Sequence, residues 1–159
     1  PLQSRIGLLD RKLRVVSENT ETSGEWLEWA RKAYMHTYGY EWQGDNLLLA
    51  REALLYTFTE YYKAKIPNEE LKRTSTIGAA RIISWNIWQM DGLKYVIPNS
   101  CCTKEIIDED LFERRIIANP CVGCTKGDNR KHNGIYCIIK DWETHRNIRF
   151  VDMVFGGGK

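Results

Sequence analysis

The sequence contains no apolar run of the length that a membrane span needs. A transmembrane helix takes about 20 mainly apolar residues, and no stretch of the 159 residues reaches that length. The first residues do not have the pattern of a signal peptide, and we expect none. The five cysteines are an odd number in a chain that lacks the composition of a short secreted disulfide scaffold. We therefore expect a protein of a reducing compartment, the cytoplasm, with no membrane partner.

An excess of either charge is also missing. Lys and Arg number 23 against 21 Asp and Glu, which gives a net charge of +2. Proteins that clamp nucleic acid by electrostatics carry a strongly basic face, and the totals give no sign of one. The chain is 43% hydrophobic, with six Trp and eight Tyr. That composition favours a folded domain with large aromatic packing.

Hydrophobic periodicity divides the chain into helices and short strands. Apolar residues recur three and four positions apart in four segments, which predicts helices over 5–16, 24–37, 46–65 and 69–84. Short strand-like runs are predicted at 38–42, 86–90 and 95–97. The alternation of helix and strand is typical of an α/β layer fold.

The last third reads differently. Residues 98–131 carry no clear periodicity and are predicted to be irregular. Two later runs, Gly134–Trp142 and Asn147–Val154, favour a β-hairpin. We therefore divide the chain into an α/β part, residues 1–100, and an irregular cysteine-containing loop with a hairpin, residues 101–159.

Two local features belong to the predicted helix 24–37. Ser23 can cap its amino end, because a hydroxyl accepts a hydrogen bond from amides in the first turn. Trp26 and Trp29 fall on one face at helical spacing. We interpret that face as core, with a base-stacking platform as the alternative.

A carboxylate lies at the end of the first predicted strand. Glu41 and Trp42 lie at the end of the run 38–42, just before the long helix. Ligands of open α/β folds bind at the carboxyl ends of strands. There Glu41 could accept hydrogen bonds from both hydroxyls of a ribose, and Trp42 could lie against an adenine ring. The alternative is a solvated Glu beside a core Trp.

A second carboxylate follows the next predicted strand. Asp91, followed by Gly92, comes directly after the run 86–90. At a sheet edge it could accept a hydrogen bond from the exocyclic amine of a purine. The alternative is an aspartate that closes a turn or caps a helix.

These two patterns resemble the cofactor motifs of Rossmann-like S-adenosylmethionine-dependent methyltransferases. The sequence also resembles members of one group of these enzymes over three longer stretches, RIGLLDRKLRVVSENTETSGEWLEWA, YGYEWQGDNLLLARE and IISWNIWQMDGLKYVIP. These look like the middle of DNA adenine-N6 methyltransferases of restriction–modification systems. The resemblance implies a fragment of a doubly wound sheet with S-adenosylmethionine as cofactor. It implies that Glu41 holds the ribose, Trp42 flanks the adenine and Asp91 contacts its amine.

Two parts of that family are expected to lie outside this chain, which starts at Pro1 and ends at Lys159. The glycine-bearing loop that cradles the methionine end would precede residue 1. The Asn-Pro-Pro-Tyr type motif that grips the flipped adenine would follow residue 159. Asn119-Pro120-Cys121 lacks the second proline and the aromatic residue, so no residue here is assigned a catalytic role. We expect the fragment alone to be inactive, with DNA and restriction or specificity subunits as partners of the full-length protein.

A cysteine cluster in the last third points to different chemistry. Cys121 and Cys124 form a Cys-x2-Cys pair, followed by His132 and Cys137. This spacing is typical of structural zinc sites, and it predicts those four residues as ligands. Cys101 and Cys102 could replace His132. The alternative is a loop with reduced, partly buried cysteines.

The stretch 126–133 beside these cysteines is basic and polar, KGDNRKHN. It could contact DNA phosphate, or it could be a solvated loop. Together with the zinc spacing it supports another function for the chain, a non-catalytic zinc-knuckle module that binds nucleic acid or protein.

Overall fold

A computed structural model describes residues 2–109 and 114–156. The chain forms two compact units, Pro1–Trp88 and Gln89–Lys159. After a short 3-10 turn, the elements up to residue 89 are α1 (Leu8–Glu18), α2 (Ser23–Met35), β1 (Gly39–Glu41), α3 (Gly44–Lys65), α4 (Arg73–Asn86) and β2 (Ile87–Gln89). The rest comprises β3 (Lys104–Glu109), β4 (Arg114–Asn119), α5 (Val122–Lys126), β5 (Ile138–Lys140), β6 (Asn147–Arg149) and α6 (Phe150–Val154).

The mixed α/β class is confirmed, and all four predicted helices are present with ends shifted by a few residues. Among the described residues the strands form three two-stranded sheets, β1 with β2, β3 with β4 and β5 with β6. A doubly wound sheet remains a prediction, as does the functional division at residue 100.

An aromatic cluster forms the core of the first unit. Trp26 is fully buried, and its ring centroid lies 5.5 Å from those of Phe58 and Tyr62. Tyr34 meets Phe58 edge-on at 5.6 Å. Tilted and edge-on contacts of this kind are the favoured arrangement of aromatic pairs. They fix α2 against α3 through rings rather than through aliphatic side chains.

A buried asparagine joins the carboxyl ends of two helices. Asn86 is 1% exposed, and its Nδ2 donates to the carbonyls of Tyr34, Met35 and Thr37 at 2.8 to 3.1 Å. The last carbonyls of a helix have no partner within the helix. Asn86 satisfies them from α4 and so sets where α2 ends, just ahead of β1.

Trp29 departs from the predicted core face. Trp26 and Ala30 are fully buried, but Trp29 is 53% exposed. The physical reason is angular, since three residues correspond to about 300° of helix rotation and leave Trp29 about 60° from Trp26. The interpretation of Trp29 as a core residue is therefore wrong.

The second unit corrects the prediction that residues 98–131 are irregular. An antiparallel hairpin pairs β3 with β4 from Lys104 opposite Asn119 to Glu109 opposite Arg114, and α5 follows it. The two strands carry the β-branched pairs Ile106-Ile107 and Ile116-Ile117, which favour strand structure.

The last hairpin is shorter than predicted. β5 and β6 pair antiparallel over only three residues each, from Ile138 opposite Arg149 to Lys140 opposite Asn147. Residues 150–154, predicted as strand, form the helix α6. Its buried residue Val151 joins Met90, Val96 and Ile139 in the core of this unit.

None of the helices in the described ranges combines the length and the apolar character needed to cross a membrane.

Candidate metal centre

Three thiols and one imidazole converge in the second unit. The Sγ atoms of Cys101, Cys121 and Cys124 and a ring nitrogen of His132 all lie within 4.8 Å of one another. Cys121 and His132 are buried, Cys101 is half-buried and Cys124 is exposed. The site therefore reaches the surface at one corner.

The β3–β4 hairpin brings Cys101 to Cys121. Lys104 pairs with Asn119 at the open end of the hairpin. Cys101 lies three residues before that pair and Cys121 two residues after it. Nineteen residues of chain thus lie between two side chains that the hairpin register makes neighbours.

The short helix α5 carries the Cys121–Cys124 pair, and we call this segment the α5 knuckle. Cys121 is the N-cap residue of this short helix, and Cys124 lies within its single turn. The turn is closed by hydrogen bonds from Gly123 N to Lys131 O at 2.9 Å and from Asp128 N to Gly123 O at 3.1 Å. The helix ends at Gly127, which has a left-handed φ of 66°, a conformation that glycine adopts at little cost.

Gly123 and Gly134 leave room for the ligands. A Cβ atom at Gly123 would lie 2.6 Å from both the backbone nitrogen and Nδ1 of His132. A Cβ atom at Gly134 would lie 2.9 Å from Cys101 Sγ. Both distances are below any ordinary carbon contact, so side chains at these positions would displace ligand residues.

The distances around His132 match a shared metal ion. Nδ1 lies 3.5 Å from Cys101 Sγ, 3.5 Å from Cys121 Sγ and 3.6 Å from Cys124 Sγ. In a tetrahedral site with Zn–S of about 2.3 Å and Zn–N of about 2.0–2.1 Å, the nitrogen and each sulfur are about 3.6 Å apart. One ring nitrogen offers a single proton or a single lone pair, so hydrogen bonding alone does not explain three near-equal contacts.

Asn129 holds the other side of the imidazole, and Tyr136 holds the backbone of His132. His132 Nε2 lies 3.4 Å from Asn129 Oδ1, so the N–H on that nitrogen faces an acceptor and Nδ1 is left for a metal. The backbone N–H of His132 donates to the Tyr136 hydroxyl at 2.8 Å, and that hydroxyl donates to Asn129 O at 3.0 Å. Such outer contacts fix the tautomer and ring orientation of metal-binding histidines.

Backbone amides point at the sulfurs. Asn133 N donates to Cys121 Sγ at 3.3 Å, and the Cys124 amide also donates to Cys121. The Gly134 amide donates to Cys101. Amide hydrogen bonds stabilise negative charge on sulfur, which is the form in which cysteine binds metal.

The pKa values of two cluster thiols differ widely. Burial raises the pKa of Cys121, but the amides of Asn133 and Cys124 and the contacts with His132 and Cys101 outweigh it and lower the pKa to about 6. Burial, with hydrogen bonds to Cys121 and Cys124, raises the pKa of Cys101 to about 11.

Three of the four ligands predicted from spacing are brought together, and Cys137 is not. Its Sγ donates to Gln89 O at 3.2 Å, and burial raises its pKa to about 11. Cys101 occupies the fourth position beside His132, whereas the sequence offered it only as a replacement for His132. Cys102 is exposed, and Asn133 bonds to its backbone N–H and carbonyl.

Glu41 ends β1 and closes the turn into α3. Its Oε1 accepts hydrogen bonds from the amides of Trp42 at 2.9 Å and Gln43 at 3.2 Å. Trp42 is 47% exposed. The carboxylate therefore lies at a strand end, as predicted, and accepts hydrogen bonds from backbone amides of its own turn.

Asp91 has a similar local role in the second unit. It is 4% exposed, and its Oδ1 accepts from the amides of Leu93 at 2.9 Å and Lys94 at 3.2 Å. Its backbone N–H donates to Val96 O at 2.8 Å. These contacts are those of a turn-closing aspartate.

The basic stretch beside the cysteines is partly neutralised. Lys131 pairs with Asp128 at 2.9 Å. Arg130 donates to Phe155 O and lies 5.4 Å from the centroid of the Phe155 ring. Lys126 is exposed in the last turn of α5.

Comparison of the chain with protein-family models, curated proteins and solved structures finds no match. The resemblance to DNA adenine methyltransferases therefore stays a prediction.

Proposed function

We propose that this chain is a zinc-stabilised interaction module in which Cys101, Cys121, Cys124 and His132 hold one structural Zn²⁺. The observation that carries the proposal is the position of His132 Nδ1, 3.5 to 3.6 Å from three sulfurs. Three thiolates and an imidazole form a ligand set typical of structural zinc.

The ligand count supports a structural role over a catalytic one. A catalytic zinc keeps a coordination position open for water or substrate, whereas four protein ligands close the tetrahedron. The metal would fasten the loop that carries Cys101, the α5 knuckle and the segment around His132 to one another. In a small unit such a bond adds directly to folding free energy.

Zinc content of single-cysteine variants tests this proposal. We expect the purified chain to hold one zinc per molecule, measured by elemental mass spectrometry. C101A is expected to lose it, while C102A, the adjacent exposed cysteine, is expected to retain it. C137A is also expected to retain zinc, because the Cys137 thiol of the parent chain donates to Gln89 O and is not a ligand.

Loss of zinc from C137A with retention in C101A would restore the ligand set predicted from spacing and overturn this one. A chain without bound zinc after purification and zinc titration would overturn the proposal as a whole. A cobalt titration identifies variants that have unfolded. Cobalt bound by thiolates in one fixed geometry gives intense absorption bands, and an unfolded chain does not provide that geometry.

We also propose, as a second candidate, that the chain is part of an S-adenosylmethionine-dependent DNA adenine methyltransferase. The supporting observation is the pairing of β1 with β2. Glu41 is the last residue of β1. Strand ends of this kind are where α/β folds bind nucleotides.

Adenosine and methionine, titrated separately, test the second candidate. We expect adenosine to shift the amide resonances of Trp42 and Gln43, which bond to Glu41, and methionine to leave them in place. E41Q keeps an oxygen acceptor for the amides of Trp42 and Gln43 but is expected to lower the affinity for adenosine. Absence of shifts with adenosine and with S-adenosylmethionine would contradict this candidate and leave the zinc proposal untouched.

A further inference from the structure

The first unit leaves an apolar groove open between α1 and α2. Its volume is about 460 Å³. The floor is formed by Leu8, Val15 and Val16 from α1 and by Trp29 and Ala33 from α2. Leu8, Val15 and Trp29 are 65%, 58% and 53% exposed. Clustered apolar side chains left in solvent mark surfaces that bind a partner.

The groove exists because α1 carries two apolar stripes. Leu9 and Leu13 are buried against the unit, whereas Leu8 and Val15, seven residues apart, face the groove. Seven residues are close to two helical turns, so these two side chains lie on one line along α1. The second stripe contributes little to the core of the unit.

Cations surround this apolar floor. The cations are Arg11 and Lys12 from α1 and Lys32 from α2. His36, beyond the end of α2, also contributes to the lining, and in the described part of the chain no Asp or Glu does. Lys12 Nζ is fixed by His36 O at 2.8 Å and Thr37 Oγ1 at 2.9 Å. Lys32 Nζ lies 4.3 Å from the centroid of the Trp29 ring and pairs with Glu28. The charge pattern complements an acidic occupant.

The length of the groove fits a helix. Leu8 and Val16 are eight residues apart, which spans about 12 Å at about 1.5 Å per residue. A helix that binds in such a groove uses anchors at i, i+3 or i+4, and i+7, which extend over about 10 Å. We propose that the α1–α2 groove binds an amphipathic helix of a partner protein, with apolar anchors flanked by Asp and Glu.

Two designed peptides test this inference on the full chain. Both carry Leu at i, i+3 and i+7, and they differ only in having Glu or Lys at the flanking positions. Isothermal titration is expected to show binding of the Glu peptide, weakening as salt is raised, and no comparable binding of the Lys peptide. Equal affinity for the two peptides, or no binding of the Glu peptide, overturns the proposal.

Matched surface variants locate the binding. W29A and R11E are each expected to weaken binding of the Glu peptide by about 30-fold or more, the size of a hot-spot effect. L48A and R81E alter exposed residues elsewhere in the first unit and are expected to leave the affinity unchanged. Affinity that is indifferent to W29A and R11E would overturn the assignment of the groove.

Other occupants give different results. If sedimentation shows self-association that W29A abolishes, the groove serves a second copy of this chain. If anionic phospholipid vesicles bind and the Glu peptide does not displace them, it serves a lipid surface. Either result contradicts the proposal of an acidic helix, and neither depends on zinc.

Discussion

At the residue scale, the absent side chain of Gly123 determines how close His132 comes to the thiols. The α5 turn passes directly over the imidazole, and a Cβ atom would lie 2.6 Å from Nδ1. Because the backbone nitrogen of His132 would also lie 2.6 Å from this Cβ atom, rotation of the His132 side chain alone cannot relieve the conflict. The histidine would have to move away from the three sulfurs.

We therefore predict that G123A weakens zinc binding by about 10- to 100-fold, the range found when the surroundings of a metal ligand are disturbed. Competition with a chromophoric chelator measures the change. Gly24 is the matched control, since a Cβ there meets nothing within 4 Å, and G24A is expected to bind zinc as the parent chain does. Unchanged affinity in G123A would mean that His132 is not a ligand.

The choice between Cys101 and Cys137 shows what residue spacing can and cannot predict. Cys121, Cys124 and His132 are close in sequence, so local turn geometry brings them together and spacing suffices to find them. Cys101 is twenty residues from Cys121, and only the hairpin register makes them neighbours. Cys137 has the better spacing, but it lies where its thiol is used by Gln89 O.

At the scale of elements, α2 begins with a capping box. The Thr22 side chain accepts from Glu25 N at 3.3 Å, and the Glu25 carboxylate accepts from Thr22 N at 3.2 Å. Each partner satisfies an amide that the helix leaves free. The prediction of Ser23 as the cap is wrong by one residue, since the Thr-x-x-Glu spacing selects Thr22.

The T22A variant is predicted to lower the free energy of unfolding by about 1 kcal/mol, the usual worth of a Thr cap. S23A, one position later, is expected to change it by less than about 0.5 kcal/mol, as is typical of surface positions. Urea unfolding of the two variants measures the difference. A larger loss in S23A than in T22A would place the cap where the sequence first suggested it.

Element prediction succeeds where periodicity is long and fails where it is short. The helix α3 covers 22 residues, enough turns for apolar spacing to be unmistakable. Strands β3 and β4 cover six residues each, too few for their β-branched residues to stand out as a periodic pattern. The final strand is predicted through residue 154, but the chain turns helical at Phe150, whose amide still donates to Cys137 O at 2.9 Å as the ladder ends.

At the scale of the whole molecule, metal binding and folding should be linked. An ion that binds only the folded state adds a stability of about 4 kcal/mol when its free concentration is about 1,000 times its dissociation constant. We predict that removal of zinc with a strong chelator lowers the thermal midpoint and speeds amide exchange in the α5 knuckle. Added zinc should restore both. Identical unfolding with and without chelator would contradict a structural role.

The function of the chain is harder to predict from its sequence than its fold or its metal ligands. Glu41 ends β1 and Asp91 comes two residues after β2, but both carboxylates accept hydrogen bonds from amides of their own turns. Sequence alone does not distinguish a ligand-binding carboxylate from a turn-closing one, because both occur at strand ends. The cysteine cluster is more specific, since four ligand atoms must meet at one point.

X-ray absorption at the zinc edge of the purified chain tests the central claim most directly. A Cys101, Cys121, Cys124 and His132 site predicts three sulfur neighbours at about 2.3 Å and one nitrogen at about 2.0–2.1 Å. Coordination by four sulfurs, by two sulfurs with oxygen or water, or the absence of zinc would contradict it.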